Sequence, residues 1–140
     1  MRYCKTQPTE IKTSNFYMNT ILSKLKKTLK TKRKLHNKIK NQHEQFQVVV
    51  DTVCRALCVN VEDVFKKTRK QHIVEARHII GFICRVECQI TFVELGKKLK
   101  RDHSTIVHAS QSIQNLMEYE EKTREKIVYL RKLCKEKINE

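Results

Sequence analysis

The sequence predicts an all-α protein: a compact multi-helix domain containing a helix-turn-helix, preceded by a basic helical or partly disordered arm. Three observations predict it. Gly81, Gly96 and Pro8 are the only glycines and proline in 140 residues, too few for the closely spaced turns of a strand-rich fold. From Phe46 onward, apolar residues recur at helical rather than alternating spacing. The net charge of +15, from 30 Lys and Arg against 15 Asp and Glu, divides the chain near residue 45. Residues 1–45 carry +10 of it and residues 46–140 the remaining +5.

Residues 1–45 read as a lysine-rich arm. Lys24 to Lys40 holds nine Lys or Arg and no acid. Ile21, Leu22, Leu25 and Leu29 follow a helical stripe, but the spacing slips before Leu35 and Ile39. So little apolar area offsets the ordering entropy that a lightly held helix or partial disorder is expected. Like charges at this density repel one another unless an anion lies alongside. A solvated helix with no partner is the plainer alternative, and a protein partner through the arm stays open.

Residues 46–140 read as a domain of amphipathic helices. Phe46, Val49, Val50, Val53 and Leu57 make one buried face. Asn60 stands at an N-cap position before the short segment Val61–Phe65. A basic stretch follows, Lys66-Lys67-Thr68-Arg69-Lys70, too polar for a core. The next helix, about Ile73 to Glu87, carries Ile73, Ala76, Ile79, Ile80, Phe82, Ile83, Cys84 and Val86. Apolar groups nearly surround its second half, which predicts the central, most buried helix. Thr91-Phe92-Val93-Glu94 is a capping-box sequence, and Phe92, Leu95 and Leu99 form the face behind it. After a tight polar turn, Ile106, Ala109, Ile113 and Leu116 form another face. A last helix from about Glu120 carries Ile127, Leu130, Cys134 and Ile138.

Charge and hydropathy also exclude classes of function. No run approaches the roughly 18 apolar residues that a membrane span needs, and MRYCKTQPTE lacks the apolar core of a signal peptide. A soluble, cytoplasmic, nucleoid-associated protein without a membrane partner is expected. The basic balance favours a polyanion.

Two short helices joined by a tight turn in a basic chain suggest a helix-turn-helix. The turn and second helix read Lys100-Arg101-Asp102-His103-Ser104-Thr105-Ile106-Val107-His108-Ala109. Its apolar face leaves Asp102, His103, Ser104, Thr105 and His108 at the N-terminal end, where a recognition helix meets base edges. Asp102 there can accept from a cytosine amino group, and Ser104 and Thr105 can bond a base or a phosphate. Asp102 can equally be an ordinary N-cap.

This run resembles the signature of the C-terminal DNA-binding domain of the bacterial replication initiator DnaA, which opens Arg-Asp-His-Ser/Thr-Thr-Val and continues with His-Ala. Arg101, Asp102, His103, Ser104, Thr105, His108 and Ala109 match it. Ile73-Val74-Glu75-Ala76-Arg77 resembles the family's helix after the basic loop, and Phe92 to Lys97 its first helix-turn-helix helix. The likeness covers roughly residues 46–135. It implies sequence-specific binding of double-stranded DNA through the matched positions: Asp102, His103 and Ser104 on bases in the major groove, with Arg101, Thr105 and His108 beside them. It further implies Arg69 in the adjacent minor groove, with Lys67 or Lys70 as substitutes, and Arg77 near phosphate. One departure stands out. The family usually has Phe-Gly-Gly before Arg-Asp-His, whereas this chain has Leu99-Lys100 and is one residue shorter.

The family's full-length members carry a nucleotide-binding domain that needs a glycine-rich phosphate loop. No glycine precedes Gly81 here. The expectation is a free-standing DNA-binding domain in replication initiation or its regulation, with no cofactor, no bound nucleotide and no enzymatic activity. RNA binding or non-specific nucleic-acid binding is the alternative; against RNA, segment 100–110 has no aromatic side chain for stacking on bases. Cys54/Cys58 and Cys84/Cys88 are spaced i, i+4, but mid-helix pairs without nearby glycine are poor zinc knuckles, so no metal is expected.

Overall fold

Lysine, leucine and threonine in the arm and aliphatic stripes in the domain yield the same backbone state in this computed structural model: all regular structure among the described residues is helical. The structure describes the backbone of residues 9–140 and the side chains of residues 17–38 and 41–140. The expectations for Ile39 and Lys40 lie outside those side chains. The helices are α1 (Thr9–Ala56), α2 (Val61–Phe65), α3 (Gln71–Glu87), α4 (Phe92–Leu99), α5 (His103–Tyr119) and α6 (Glu121–Asn139). The chain forms two units, residues 1–40 and 41–140, and α1 contributes residues to both. Residues 41–45 thus fall with the domain; Gln42 donates to the carbonyls of Cys88 and Gln89, both at 3.4 Å.

In the first unit the stripe slip before Leu35 does not end the helix. Thr28 and Thr31 turn their hydroxyls back onto the Lys24 and Lys27 carbonyls at 3.0 and 2.9 Å, a geometry that helices accommodate. Tyr17, Met18, Ile21, Leu22, Leu25, Leu29 and Leu35 all remain exposed. Among the described residues no helix is long and apolar enough to cross a membrane.

In the second unit α3 is the central helix, as its pattern predicts. It buries Ile73, Ala76, Ile79, Ile80, Phe82, Ile83 and Cys84, and packs against α2, α4, α5 and α6. Phe46, Val49, Val50 and Val53 from α1 join that core, with Leu95 and Leu99, Ile106 and Ile113, and Ile127, Leu130 and Cys134 from the last three helices. Two expected core residues lie outside it. Val86, at the end of α3, is 40% exposed, and Leu116 is 46% exposed at the rim of an open cleft by the α5–α6 turn. Arg131 grips Glu87 at 2.7 Å, tying α6 to α3.

Helix ends explain how so few glycines suffice. Cys58, Gln89 and Lys100 have φ of 53–54°, the left-handed conformation that usually takes glycine after a helix. The first two return the chain so that Val59 and Ile90, both in loops, drop into the core. The thiols of Cys54 and Cys134 are pushed up to about 11, by burial first. They are packing groups, and among the described residues no three metal-ligating side chains converge.

Candidate nucleic-acid interface

The geometry of the interface begins with the two ends of α4. At its start Thr91 and Glu94 form the expected capping box: the Thr91 amide donates to the Glu94 carboxylate at 3.1 Å, and the Glu94 amide to Thr91 Oγ1 at 3.3 Å. At its end the Lys100 amide donates to the carbonyls of Gly96 and Lys97, and the Arg101 amide donates to the Gly96 carbonyl at 2.8 Å. Gly96 is the residue that makes this turn fit. A Cβ there would stand 2.7 Å from the Arg101 carbonyl oxygen and 3.2 Å from the His103 nitrogen, both backbone atoms. Sequence reasoning took Gly96 only as a family match. Its signal was the cost of about 1 kcal/mol that glycine carries inside a helix, which asks for a compensating close approach.

The turn delivers α5 with its N-terminus in solvent. Asp102 occupies the N-cap position in extended conformation, yet its side chain makes no capping bond. Asp102, His103, Ser104, Thr105 and His108 are all exposed, whereas Ile106, Ala109, Ser110 and Ile113 are buried. Five acceptor or donor side chains at this end of the helix are therefore without a hydrogen-bond partner inside the fold. The carboxylate of Asp102 can accept two or more bonds, and the hydroxyls of Ser104 and Thr105 can both donate and accept.

Residues 66–70 form the basic loop between α2 and α3. Asn60 caps α2 by accepting from the Glu62 amide at 3.2 Å, as expected. Lys66 pairs with Asp63 at 2.9 Å on the surface. Lys67, Arg69 and Lys70 are exposed. A cleft of about 400 Å³ separates this loop from α5 and is lined by Lys67, Arg69, Arg77, His78, Arg101 and Thr105, among others. No carboxylate lines it. Burial, then the neighbouring Arg77, lowers the His78 pKa from the usual histidine value.

The structure thus brings Arg101, Thr105, Lys67, Arg69 and Arg77 around one cleft, while Asp102, His103, Ser104, His108 and Lys70 lie outside its lining. Arg77, which the resemblance sets near phosphate, lies under the loop. It is 7% exposed, and its guanidinium donates to the carbonyls of Val64 at 2.8 Å, Lys66 at 3.1 Å and Thr68 at 3.3 Å. Its sequence position on α3 places the side chain under the loop, where it supplies donors to carbonyls of the loop and of the end of α2. Burial, then the charge of Arg101, lowers its pKa from the usual arginine value.

Comparison with known proteins agrees with this architecture. Residues 46–113 match the sequence model of the family described as bacterial DnaA protein helix-turn-helix. The chain is similar to the chromosomal replication initiator protein DnaA of Aquifex aeolicus, 31% identical over 91 residues, covering 64% of this chain and 23% of that protein. It is also similar to the DnaA of Mycoplasma pneumoniae, 27% identical over 118 residues, covering 82% of this chain and 27% of the relative. The chain therefore spans about a quarter of the length of these relatives. A crystal structure of a DNA replication initiation factor superimposes with a TM-score of 0.72 at 28% identity, covering 86% of this chain and 38% of the other. A structure of replication initiator DnaA bound to AMPPCP and single-stranded DNA gives 0.63 at 28% identity, covering 74% and 32%. Residues 46–113 of this chain thus carry its similarity to the bacterial DnaA helix-turn-helix family.

Proposed function

We propose that this chain binds double-stranded DNA in a sequence-dependent way, in replication initiation or its regulation. The observation that carries the reading is the first turn of α5. Its polar side chains are exposed, and Asp102 is not spent on its own helix cap. In the family's manner this end enters a major groove, with Asp102, His103 and Ser104 at base edges. The basic loop, led by Arg69, reaches the neighbouring minor groove, where narrow A·T-rich stretches concentrate negative potential. Lys67, Lys70, Thr105 and His108 meet phosphate or flanking bases, and the lysines of residues 1–40 track the backbone further along. The same reading makes the chain a non-enzymatic, DNA-associated protein that needs no nucleotide or metal.

Selection of bound sequences from a random duplex pool tests the reading, and a consensus is expected. Recovery of no consensus at moderate salt would reduce the chain to a non-specific polycation. The central residue has its own test. Asp102→Asn leaves a side chain that can cap as well as Asp but presents a donor where the carboxylate only accepts. It should cost roughly 1–3 kcal/mol on the selected site and relax choice at one base pair. Binding to scrambled duplex should rise slightly, because a negative charge near phosphate is gone. Paired titrations on the two duplexes, with thermal melting as the folding control, decide it. A parallel rise on both would mean that Asp102 reads nothing.

A further inference from the structure

The basic loop has no regular structure, yet side chains from two sides meet at one of its carbonyls. From α3 below, Arg77 Nη2 donates to the Lys66 carbonyl at 3.1 Å. From the turn between α4 and α5, Arg101 Nη2 donates to the same carbonyl at 2.7 Å. Lys66 O, which also accepts from the Thr68 amide at 2.9 Å, is thereby shared between the helix that underlies the loop and the residue immediately before the N-cap of α5. The shared acceptor is not an accident of crowded charge, since two guanidiniums converging on one dipole repel each other. No carboxylate bridges them: neither arginine has an acidic partner among the described residues. The arrangement costs electrostatic energy, and what it yields is a fixed position for the loop.

We propose that Arg101 is a positioning residue that fastens the basic loop to the start of α5, rather than a phosphate ligand. One nitrogen of its guanidinium, Nη2, is already bonded to the loop at 2.7 Å, so part of the fork that a bidentate phosphate contact would use is engaged in the free protein. Through the Lys66 carbonyl it holds Lys67 and Arg69 at one offset from Asp102, His103 and Ser104. The stretch read by the loop and the stretch read by the helix then keep one spacing. This rests on the reading of loop and helix as two parts of one DNA surface, but the fastening itself belongs to the free protein.

The test has one arm without DNA and one with it, both on the full chain. Arg101→Met keeps the apolar stem and removes the donors. Backbone relaxation of the free protein should show order parameters of residues 66–70 falling from about 0.85 toward 0.6 or below, with those of α5 unchanged. An unchanged loop would overturn the proposal. If Arg101→Met melts at the working temperature, Arg101→Lys, which keeps the charge but loses the fork, should loosen the loop in the same direction. On duplexes differing only in A·T or G·C pairs beside the major-groove site, Arg69→Ala and Arg101→Met should each cut the A·T preference several-fold. The double variant should lose no more than the worse single one, as expected for groups acting through one element. Independent losses that multiply, each lowering the salt slope by about one, would instead mark Arg101 as a phosphate contact. A parent chain without any preference among duplexes would sink the proposed function, and the relaxation arm would still decide the fastening.

Discussion

Between Tyr17 and Lys38 every large apolar side chain of α1 is about half exposed or more, from Leu22 at 46% to Tyr17 at 67%. By contrast, α3 buries nine of its 17 residues. Both segments are helical, but different forces hold them. Residues 17–38 rely on the good intrinsic propensity of Lys and Leu, with no acid to offset the basic charge. The α3 helix tolerates Gly81 and several β-branched isoleucines, poor helix formers, because burial against four other helices outweighs propensity. A helix can therefore be a consequence of the core or independent of it, and only the former resists local change through packing.

Five variants break or sharpen that contrast. Ile80 is fully buried on α3, so Ile80→Ala should lower stability by about 2–5 kcal/mol through lost transfer energy and a cavity. Leu25→Ala on the exposed stripe should change it by less than about 0.5 kcal/mol. Urea titration of the two variants makes the comparison, and similar losses would show that the arm's stripe is covered in solution. Gly96→Ala comes next. An alanine in an unconstrained helix would gain about 1 kcal/mol; here the 2.7 Å approach to the Arg101 carbonyl should turn that into a loss of roughly 1–3 kcal/mol. Specific DNA affinity should fall further than non-specific affinity, because the start of α5 moves. A more stable variant with intact specificity would show that the turn yields freely.

Lys100→Gly should act in the opposite sense. Lys100 sits at φ 54° and ψ 45°, a conformation costing an L-residue about 1–2 kcal/mol, so glycine should raise the melting midpoint by the equivalent of about 1 kcal/mol. A lower midpoint would mean that the lysine side chain stabilises the turn by a contact of its own. The smallest effect on stability belongs to the arm. Exchanging Lys24, Lys26, Lys27 and Lys30 for Gln should leave melting nearly unchanged while reducing the slope of log affinity against log salt, by up to about one per lost phosphate contact. Preference between duplexes should survive. An unaltered slope would detach the arm from DNA and point to another partner.

The Gly96 and Lys100 cases show where the sequence was readable. Periodicity located each buried stripe, because a helix must place residues three and four apart on one side. The capping signals at Asn60 and Thr91 were local and came out as expected, since a cap is decided by residues within one turn. Val86 and Leu116 misled, because periodicity reports which side of a helix they occupy but not where the neighbouring helix ends. The missing family glycines before Arg101 raised the prospect of an altered turn. In the structure Lys100 itself adopts the left-handed conformation, and Gly96, one turn earlier, supplies the clearance.

The sequence by itself determined the all-helical class, the buried faces, the caps and the exposed polar run that opens α5, all of which follow from residue type and short-range spacing. Tertiary structure alone decided what Arg77 and Arg101 do. Both are arginines in a basic chain, and sequence can only count their charge toward a polyanion. In the structure Arg77 donates to the Val64, Lys66 and Thr68 carbonyls and Arg101 to that of Lys66, because an irregular loop packed against a domain leaves backbone acceptors that take up donors. Which donor satisfies them depends on positions 9 to 35 residues away in the chain, brought within reach only when the helices pack.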